Sequence, residues 1–548
     1  MRWCLALLAL WVLARLGGLL MAALTAAGST GGWGAGWLWW LPLDACLLAL
    51  LLLWLPPWRW LLGFIALSLT GSVMLNLASG VTLAVFGREL NVWLDVALLS
   101  AGYQLLSSNL GQPAALLVTG LLLGGLAILA WGMWRLLLSV CRQSAGYSRA
   151  WRIAGSAGVA GLILMIWGLD QWFDEPRLGL DAPLASAVSE QAEQLPITLA
   201  ARQRFGDRQR RQQPDVAPLT ELAGRDVVLI FIESYGMSLL ERGAAGMPTL
   251  LARTSESLAA DGIATASGRL RSPVRGGQSW LAHASVLAGL TIDNGLDYRL
   301  LLEGQPLTLV QDFAATGHHT MTLMPAITQP WPEGRAYEFD TLVNAAAMDY
   351  AGPALNWVTM PDQFTLKSLA TRWLSEPSGP VFAQVALVSS HAPWTPILPV
   401  RDWASIGDGS GFQPWADAGP PPEQLWRDMA EVQRHYADSV RYSLTVTLEW
   451  VARYLPDDAL VMVMGDHPAA PVVTGAEASP DVPVHVFSRD AQLIQAFADF
   501  GLHRGLMPPS QAADAPMACW RHWLHAMFGA QPRALSQPCA RDNASGER

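Results

Sequence analysis

Charge is scarce in this sequence. Only 15 % of its 548 residues are Asp, Glu, Lys or Arg, against about a quarter in an ordinary soluble domain. Lysine is all but missing: Lys367 stands alone, and the remaining positive charge is Arg. That bias is compositional and carries no function. Cysteine is sparse as well, with five residues and none in metal-site spacing, which excludes a disulfide-dense mini-protein. No basic block offsets the net charge of −10, which argues against nucleic acid as the main partner. What the chain has in excess is apolar residues, 52 % of the total, with a mean hydropathy of +0.26. This excludes a disordered chain or a collagen-like fibre and disfavours one uniform soluble globule. The length accommodates a membrane part plus one large domain.

The apolar residues concentrate before residue 172. A membrane-spanning helix needs roughly 20 of them. Five runs qualify: Trp3–Leu24, Gly36–Leu55, Trp60–Val85, Pro113–Leu138 and Trp151–Trp172. Four more spans follow the first, so it reads as an anchor and not as a cleaved signal. Arg2, Arg59, Arg135, Arg142, Arg149 and Arg152 fall in loops on one side, and only Arg88 on the other. The positive-inside rule then places the N-terminus in the cytoplasm and everything after Trp172 outside. The segment 87–111, with Arg88, Glu89, Asn91 and Asp95 among apolar residues, reads either as an amphipathic element on the outer interface or as a loop helix. Cys519 and Cys539 fall on the oxidising side and are expected to pair, pinning the C-terminal segment.

Residues 173–225 are polar and proline-rich, a juxtamembrane linker. Arg202, Arg204, Arg208, Arg210 and Arg211 in it form a basic run, read as a solvated helix face or a contact to anionic lipid. From Asp226 to Cys539 the pattern alternates apolar runs with helical stretches. The runs are Asp226–Ile232, His319–Met324, Val381–Val388, Ala459–Met464 and Val482–Phe487; the helical stretches include Leu309–Thr316, Phe364–Leu374 and Trp426–Tyr454. This predicts an α/β domain with a mainly parallel sheet. Residues 540–548 read as a short polar tail.

Parallel sheets gather their ligands at the carboxyl ends of the strands. Here the first run leads into Glu233-Ser234, the third into Ser389-Ser390-His391, and the fourth into Gly465-Asp466-His467. Glu, Asp and His together suit a borderline divalent ion such as zinc or manganese. The segment Arg275-Gly276-Gly277-Gln278-Ser279-Trp280 adds a sharp turn and a hydroxyl at a helix start. Metal coordination activates such a hydroxyl as a nucleophile, and a helix N-terminus favours the phosphate it would carry. The competing role for Ser279 is an N-cap. His283 lies one turn further along the same face. His485 reads as an outer contact to the site or its substrate. Trp394 either lines a head-group pocket or closes the core, Tyr436 and Tyr442 read as packing, and Asp362 as the cap of the following helix. Ser272 and Ser285 are reserve nucleophiles.

The set Glu233, Ser279 and Asp466-His467 resembles the metal site of the alkaline phosphatase and sulfatase superfamily. With membrane helices ahead of it, the chain is similar to the lipoteichoic acid synthase branch and the phosphoethanolamine transferases. The resemblance implies a sulfatase-like fold behind a five-helix membrane bundle. It implies one divalent ion, manganese or zinc, with magnesium or calcium as further candidates, held by Glu233, Ser279, Asp466 and His467. It makes Ser279 the nucleophile and His391 a phosphate contact. Trp331 and Arg335 fall near the family's Trp and Arg that hold the glycerol-phosphate head group, and Ala288-Gly289 matches a small-Gly pair after the nucleophile. Two departures stand out. The nucleophile is Ser, where that branch usually holds Thr. Ser272-Pro273-Val274-Arg275 lacks the residue between Ser and Pro that the sulfatase formylglycine pattern requires.

The expected activity is therefore transfer of a phosphoglycerol or phosphoethanolamine head group from a phospholipid donor in the bilayer to a glycan or glycolipid acceptor, through a phosphoserine. The expected setting is a bacterial inner membrane, with the catalytic domain periplasmic. The alternative enzyme is a phosphodiesterase, phosphatase or other sulfatase-like hydrolase that resolves the same intermediate with water. A non-enzymatic envelope sensor is the third class, and its mark would be the loss of a metal ligand.

Overall fold

The computed structural model describes residue 12 and residues 41–86, 90–172, 180–304, 307–329, 331–375, 379–513, 515–530 and 539. The chain divides into two units, Met1–Ala200 and Ala201–Arg548. The boundary falls inside the polar stretch 173–225.

The described helices of the first unit are α1 (Leu43–Trp54), α2 (Arg59–Phe86), α3 (Val92–Leu110), α4 (Gln112–Ala145), α5 (Arg149–Trp172) and α6 (Pro183–Leu199). Three of them contain segments long and apolar enough to cross a membrane: Arg59–Leu83, Gln112–Ala145 and Arg149–Gly168. On α4, Leu116, Leu121, Leu122 and Ile128 are exposed, an arrangement that suits lipid and not water. The expected span Gly36–Leu55 is represented by α1, which has 12 residues. Pro56-Pro57 follows it, and proline cannot continue a helix. Of the expected span Trp3–Leu24 only Val12 is described. Among the described residues, three of the five expected spans are long apolar helices and a fourth is a short one.

Polar residues in this unit bind helices together. The Gln191 side chain of α6 accepts from the Val92 amide at 2.9 Å and donates to the Leu90 carbonyl at 2.8 Å. Trp93 Nε1 donates to the Gln191 carbonyl at 2.9 Å. Asp44 of α1 accepts from the Leu184 amide at 2.7 Å. Within segment 87–111 the described residues form α3, packed against α6 through these bonds; residues 87–89 lie outside the described set.

The second unit contains α7 (Ala201–Gln212), β1 (Val227–Ile232), α8 (Met247–Ala260), β2 (Ala264–Arg271), α9 (Ser279–Ala288), α10 (Gly295–Glu303), α11 (Leu309–Thr316), β3 (His319–Met324), β4 (Thr341–Asn344), α12 (Asp362–Ser368), β5 (Val381–Ala386), α13 (Met429–Tyr454), β6 (Leu460–Gly465), β7 (Asp481–Ser488), α14 (Ala491–Asp499), β8 (His503–Arg504) and α15 (Cys519–Phe528). The sheet order is β8-β2-β7-β6-β1-β5-β3-β4. Strands β6, β1, β5, β3 and β4 pair in parallel. Strand β7 is antiparallel to both β6 and β2, and β8 is antiparallel to β2.

Strand β1 lies at the centre and every residue of it is buried. Side chains alternate along a strand, so both faces must be apolar where both are covered. Val228, Ile230 and Ile232 pack with Val440 and Leu444 of α13; Val227, Leu229 and Phe231 pack with Ala282 and Val286 of α9. The sheet is mainly parallel, as the apolar runs predict. Strand β7 departs from that pattern by running antiparallel. Strand β2 was not legible at all, because Ala-Thr-Ala-Ser-Gly-Arg-Leu-Arg has no apolar run. Its buried Arg269 is tolerated because the guanidinium pairs with Asp481 of β7 at 2.8 Å.

Candidate metal centre

Three strand or loop ends converge on one point. Glu233 follows β1 directly, and Asp466-His467 follow β6, the strand beside it. Gly465 explains how close the two exits lie: a Cβ there would sit 2.0 Å from the Tyr235 carbonyl oxygen, so only glycine fits. The third arm is the turn before α9. Gly276, Gly277 and Gln278 have φ of 72°, 141° and 63°, three successive positive values, and this reversal delivers Ser279. Ser279 is the first helical residue; Gln278 occupies the cap position and no side chain caps the helix. The N-cap role proposed for Ser279 is therefore not the observed one, and its hydroxyl is engaged elsewhere.

That hydroxyl lies 3.0 Å from Glu233 Oε2, to which it donates, and 3.2 Å from His467 Nε2. His467 Nε2 lies 3.4 Å from Glu233 Oε1 and 3.9 Å from Asp466 Oδ2. The ligand atoms of Glu233, Asp466 and His467 all lie within 4.8 Å of one another, and all three residues are buried. The backbone holds them in register. Asp466 Oδ1 accepts the Ser234 amide at 2.8 Å and the His467 amide at 2.6 Å. His467 Nδ1 faces the Pro468 carbonyl at 3.0 Å, which fixes a proton there and turns Nε2 toward the carboxylates.

Burial favours the neutral form of each carboxyl. For Glu233 the charges of His467 and His391, with hydrogen bonds from Ser234 and Ser279, outweigh burial and hold it below its ordinary range. Asp466 is pushed up, by burial and by the charge on Glu233. His467 is raised: the two carboxylates overcome the opposing effect of burial. Two buried acids, one buried imidazole and a hydroxyl, with no Lys or Arg bonded to them among the described residues, form a set that would suit a divalent cation. The donor chemistry, the fixed ring orientation and the spacing all fit such an ion.

Around the cluster sits a shell of polar contacts that sequence reading missed. Ser234, in the left-handed region at φ 58°, donates from its hydroxyl to Glu233 Oε1 at 2.8 Å. Tyr436 donates to the Ser234 carbonyl at 2.8 Å, so it braces the site as well as packing. Ser390 donates to the Glu233 carbonyl at 2.6 Å. Ser272 donates to the Asp466 carbonyl at 2.8 Å, and Ser285 to the Leu281 carbonyl at 2.7 Å; both reserve nucleophiles are buried in structural bonds. Asp362 does not cap α12, whose cap position is Pro361. Its carboxylate accepts the Val388 and Ser389 amides at 2.7 and 2.9 Å, fixing the turn that leads to His391.

His391 lies on this turn, partly exposed and stacked on Trp357 with ring centres 6.0 Å apart; its Nδ1 faces the Ala392 carbonyl at 2.5 Å. Trp394 is buried, donates from its indole to the Ser390 carbonyl at 2.8 Å, and packs between Trp426 and Tyr436, the core-closing arrangement of its two readings. His283 stacks on Phe231 at 4.1 Å; burial pushes its pKa down to about 3, so it is neutral. His485 is not an outer contact to the substrate. It sits within β7, wholly buried, between the Tyr235 hydroxyl at 3.1 Å and Ser267 Oγ at 2.8 Å, so it backs the loop after β1 and has no surface for substrate. Trp331 is the cap residue and Arg335 the last residue of the short helix Pro332–Arg335. Cys519 and Cys539 form a disulfide.

No family model matches the chain, and no curated protein matches it. Solved structures do resemble it. One is a protein in the alkaline phosphatase superfamily from Vibrio parahaemolyticus, with 14 % identity and a TM-score of 0.37, covering 58 % of this chain and 69 % of that one. Another is the C-terminal periplasmic domain of EcEptC from Escherichia coli in complex with zinc, with 14 % identity and a TM-score of 0.38, covering 58 % and 86 %. A third is the Streptococcus pyogenes phosphoglycerol transferase GacH in complex with sn-glycerol-1-phosphate, with 13 % identity and a TM-score of 0.34, covering 54 % and 75 %. At such identities and scores these likenesses say nothing about activity, and the chemistry is read from the side chains.

Proposed function

We propose that this chain is a metal-dependent transferase that moves a phosphoglycerol or phosphoethanolamine head group from a membrane phospholipid to a glycan or glycolipid through a phosphoserine at Ser279. In this reading residues 1–172 anchor the protein in a bacterial inner membrane with the N-terminus cytoplasmic. Residues 173–225 link the anchor to a periplasmic catalytic domain, 226–539. The observation that carries the reading is the Ser279 hydroxyl, placed 3.0 Å from Glu233 and 3.2 Å from His467 beside a third buried ligand, Asp466.

Glu233, Asp466, His467 and Ser279 would hold one divalent ion, manganese or zinc. When bound, such an ion lowers the pKa of the serine hydroxyl and offsets charge on the phosphoryl group. Ser279 Oγ attacks the donor phosphorus and its proton leaves along the contact to Glu233. The Oγ–P bond forms as the bond from phosphorus to the diacylglycerol oxygen breaks. His391, at the open edge of the site, contacts the phosphoryl oxygens and gives a proton to the departing oxygen. An acceptor hydroxyl then attacks phosphorus and gives its proton to His391, the Oγ–P bond breaks, and Ser279 regains its proton from Glu233. Trp331 and Arg335 are the proposed head-group contacts.

The test is turnover by the detergent-purified chain with manganese or zinc and either phosphatidylglycerol or phosphatidylethanolamine. Diacylglycerol release matched by head group on an added glycan acceptor supports transfer. Diacylglycerol matched by free head group, with acceptor present, identifies the hydrolase instead. No diacylglycerol from either lipid contradicts a phospholipid donor.

A further inference from the structure

The turn that delivers Ser279 is weakly specified by its own residues. Gly276 and Gly277 have no side chains to pack, and glycine leaves the backbone freer than any other residue. Gly276, Gly277 and Gln278 all stand at positive φ. Ser279 follows at once, and no side chain caps the helix it opens. Contacts from outside the turn must therefore fix where the Ser279 oxygen lies relative to Glu233 and His467.

The residue before the turn makes such contacts. Arg275 spreads its guanidinium over three carbonyls of one loop. Nη1 donates to Ala476 at 3.3 Å, and Nη2 donates to Ala478 at 2.9 Å and to Gly475 at 3.5 Å. Its Nε is shut away from solvent, so the fork is held against the loop. That loop belongs to the metal-ligand arm. It follows the short helix Pro471–Thr474, which comes soon after Asp466-His467. Gln433 of α13 donates to the Val473 carbonyl at 2.7 Å, and Arg242 donates to the Thr474 carbonyl. Two backbone bonds run parallel to the clamp: the Gly276 amide donates to the Pro468 carbonyl at 2.9 Å, and the Ser272 amide to the Pro480 carbonyl at 3.3 Å. The arm carrying the hydroxyl is thus tied to the arm carrying Asp466 and His467. A lysine would not reproduce the tie, because its ammonium is one point charge while the planar fork reaches separate acceptors.

We propose that Arg275 is a positioning residue for Ser279: it locks the glycine turn to the loop 475–478 and so holds the serine oxygen where it can attack phosphorus. The inference rests on the nucleophilic role of Ser279 given above, and not on which donor is used. The test is cleavage of bis-para-nitrophenyl phosphate, a diester with no acyl chains, by the full chain in an uncharged detergent with manganese. Arg275→Gln and Arg275→Lys should each lower kcat about a hundredfold, the loss that a misplacement of about 1 Å brings, with KM nearly unchanged. The melting temperature should stay close to that of the parent, because the carbonyls of 475, 476 and 478 lie in a loop that reaches solvent and water replaces the lost donors. Manganese should still raise it in both variants, since Glu233, Asp466 and His467 are held by their own strand ends. Parent-like kcat in Arg275→Gln overturns the proposal. Parent-like kcat in Arg275→Lys overturns it too, since charge alone would then suffice. Loss of the manganese-induced rise along with activity also overturns it, by making Arg275 a support of the whole centre. Cleavage of the diester by a parent that releases diacylglycerol from neither phospholipid counts against the donor alone, and the variants on the diester still decide the inference. A parent inert toward all three esters removes the nucleophilic role of Ser279 and this inference with it.

Discussion

Ser279 begins a helix whose orphan amides it does not cap, because its hydroxyl is turned to Glu233 and His467. Its removal should therefore cost little stability and all of the covalent chemistry. We expect Ser279→Ala to melt within a few degrees of the parent while turnover falls below detection. Glu233 contributes differently, as one of three buried residues proposed to hold the metal. A metal that binds only the folded state adds about 2.7 kcal/mol at roughly a hundredfold excess over its Kd. Manganese or zinc should therefore raise the melting temperature of the parent, a chelator should reverse the rise, and Glu233→Gln should abolish it; an unchanged shift in that variant would remove Glu233 from the site. Asp362 belongs at this scale too. Asp362→Ala leaves the Val388 and Ser389 amides without their acceptor in a dry interior, a loss of about 2–4 kcal/mol that a denaturant titration would read. The four residues of the centre were legible because each directly follows an apolar run or a glycine turn. Asp362, Ser234, Ser390 and Tyr436 were not, because each works through backbone groups that only the tertiary fold brings near. The burial of His485 was not legible for the same reason, since its partners Tyr235 and Ser267 reach it only in the folded sheet.

Elements set the distances between those residues. Strands β1 and β6 leave the sheet side by side, and the loop after β1 lies flat over Gly465. A methyl group there would meet the Tyr235 carbonyl oxygen at 2.0 Å. Gly465→Ala should force the two exits apart, destabilise by about 1–3 kcal/mol and reduce metal affinity far more than the fold itself, which paired melts with and without metal would separate. At the other end of α9, Arg521 of α15 donates to the Ala288 carbonyl at 3.1 Å and pairs with buried Asp312 at 2.7 Å, and His522 contacts the Gly289 carbonyl at 2.8 Å. The disulfide closes a 20-residue separation from the start of α15, a constraint worth about 3 kcal/mol. The central parallel strands could be read from their Val and Ile runs. The antiparallel part could not, since β2 is made of small and charged residues whose burial depends on the partner Asp481.

At the scale of the whole molecule, the long apolar helices and the centre make separate demands. The exposed leucines of α4 call for lipid, while the second unit responds to pH. His283 and His485 are held neutral in the fold, with pKa values pushed by burial from 6.5 to about 3. The unfolded chain therefore takes up these protons first as pH falls. The stability they contribute is complete above about pH 6.5 and is lost progressively toward pH 3. The melting temperature should drop across that window, and His485→Gln should flatten the dependence; an identical slope in that variant would show that His485 does not contribute. Covalent chemistry at the Ser279 oxygen is tested most directly by peptide mass spectrometry of the chain after incubation with metal and phosphatidylglycerol or phosphatidylethanolamine. A phosphoglycerol or phosphoethanolamine adduct on the peptide carrying Ser279, absent from Ser279→Ala, is the result predicted. Release of diacylglycerol at an undiminished rate by Ser279→Ala, with the adduct on another residue, would contradict it.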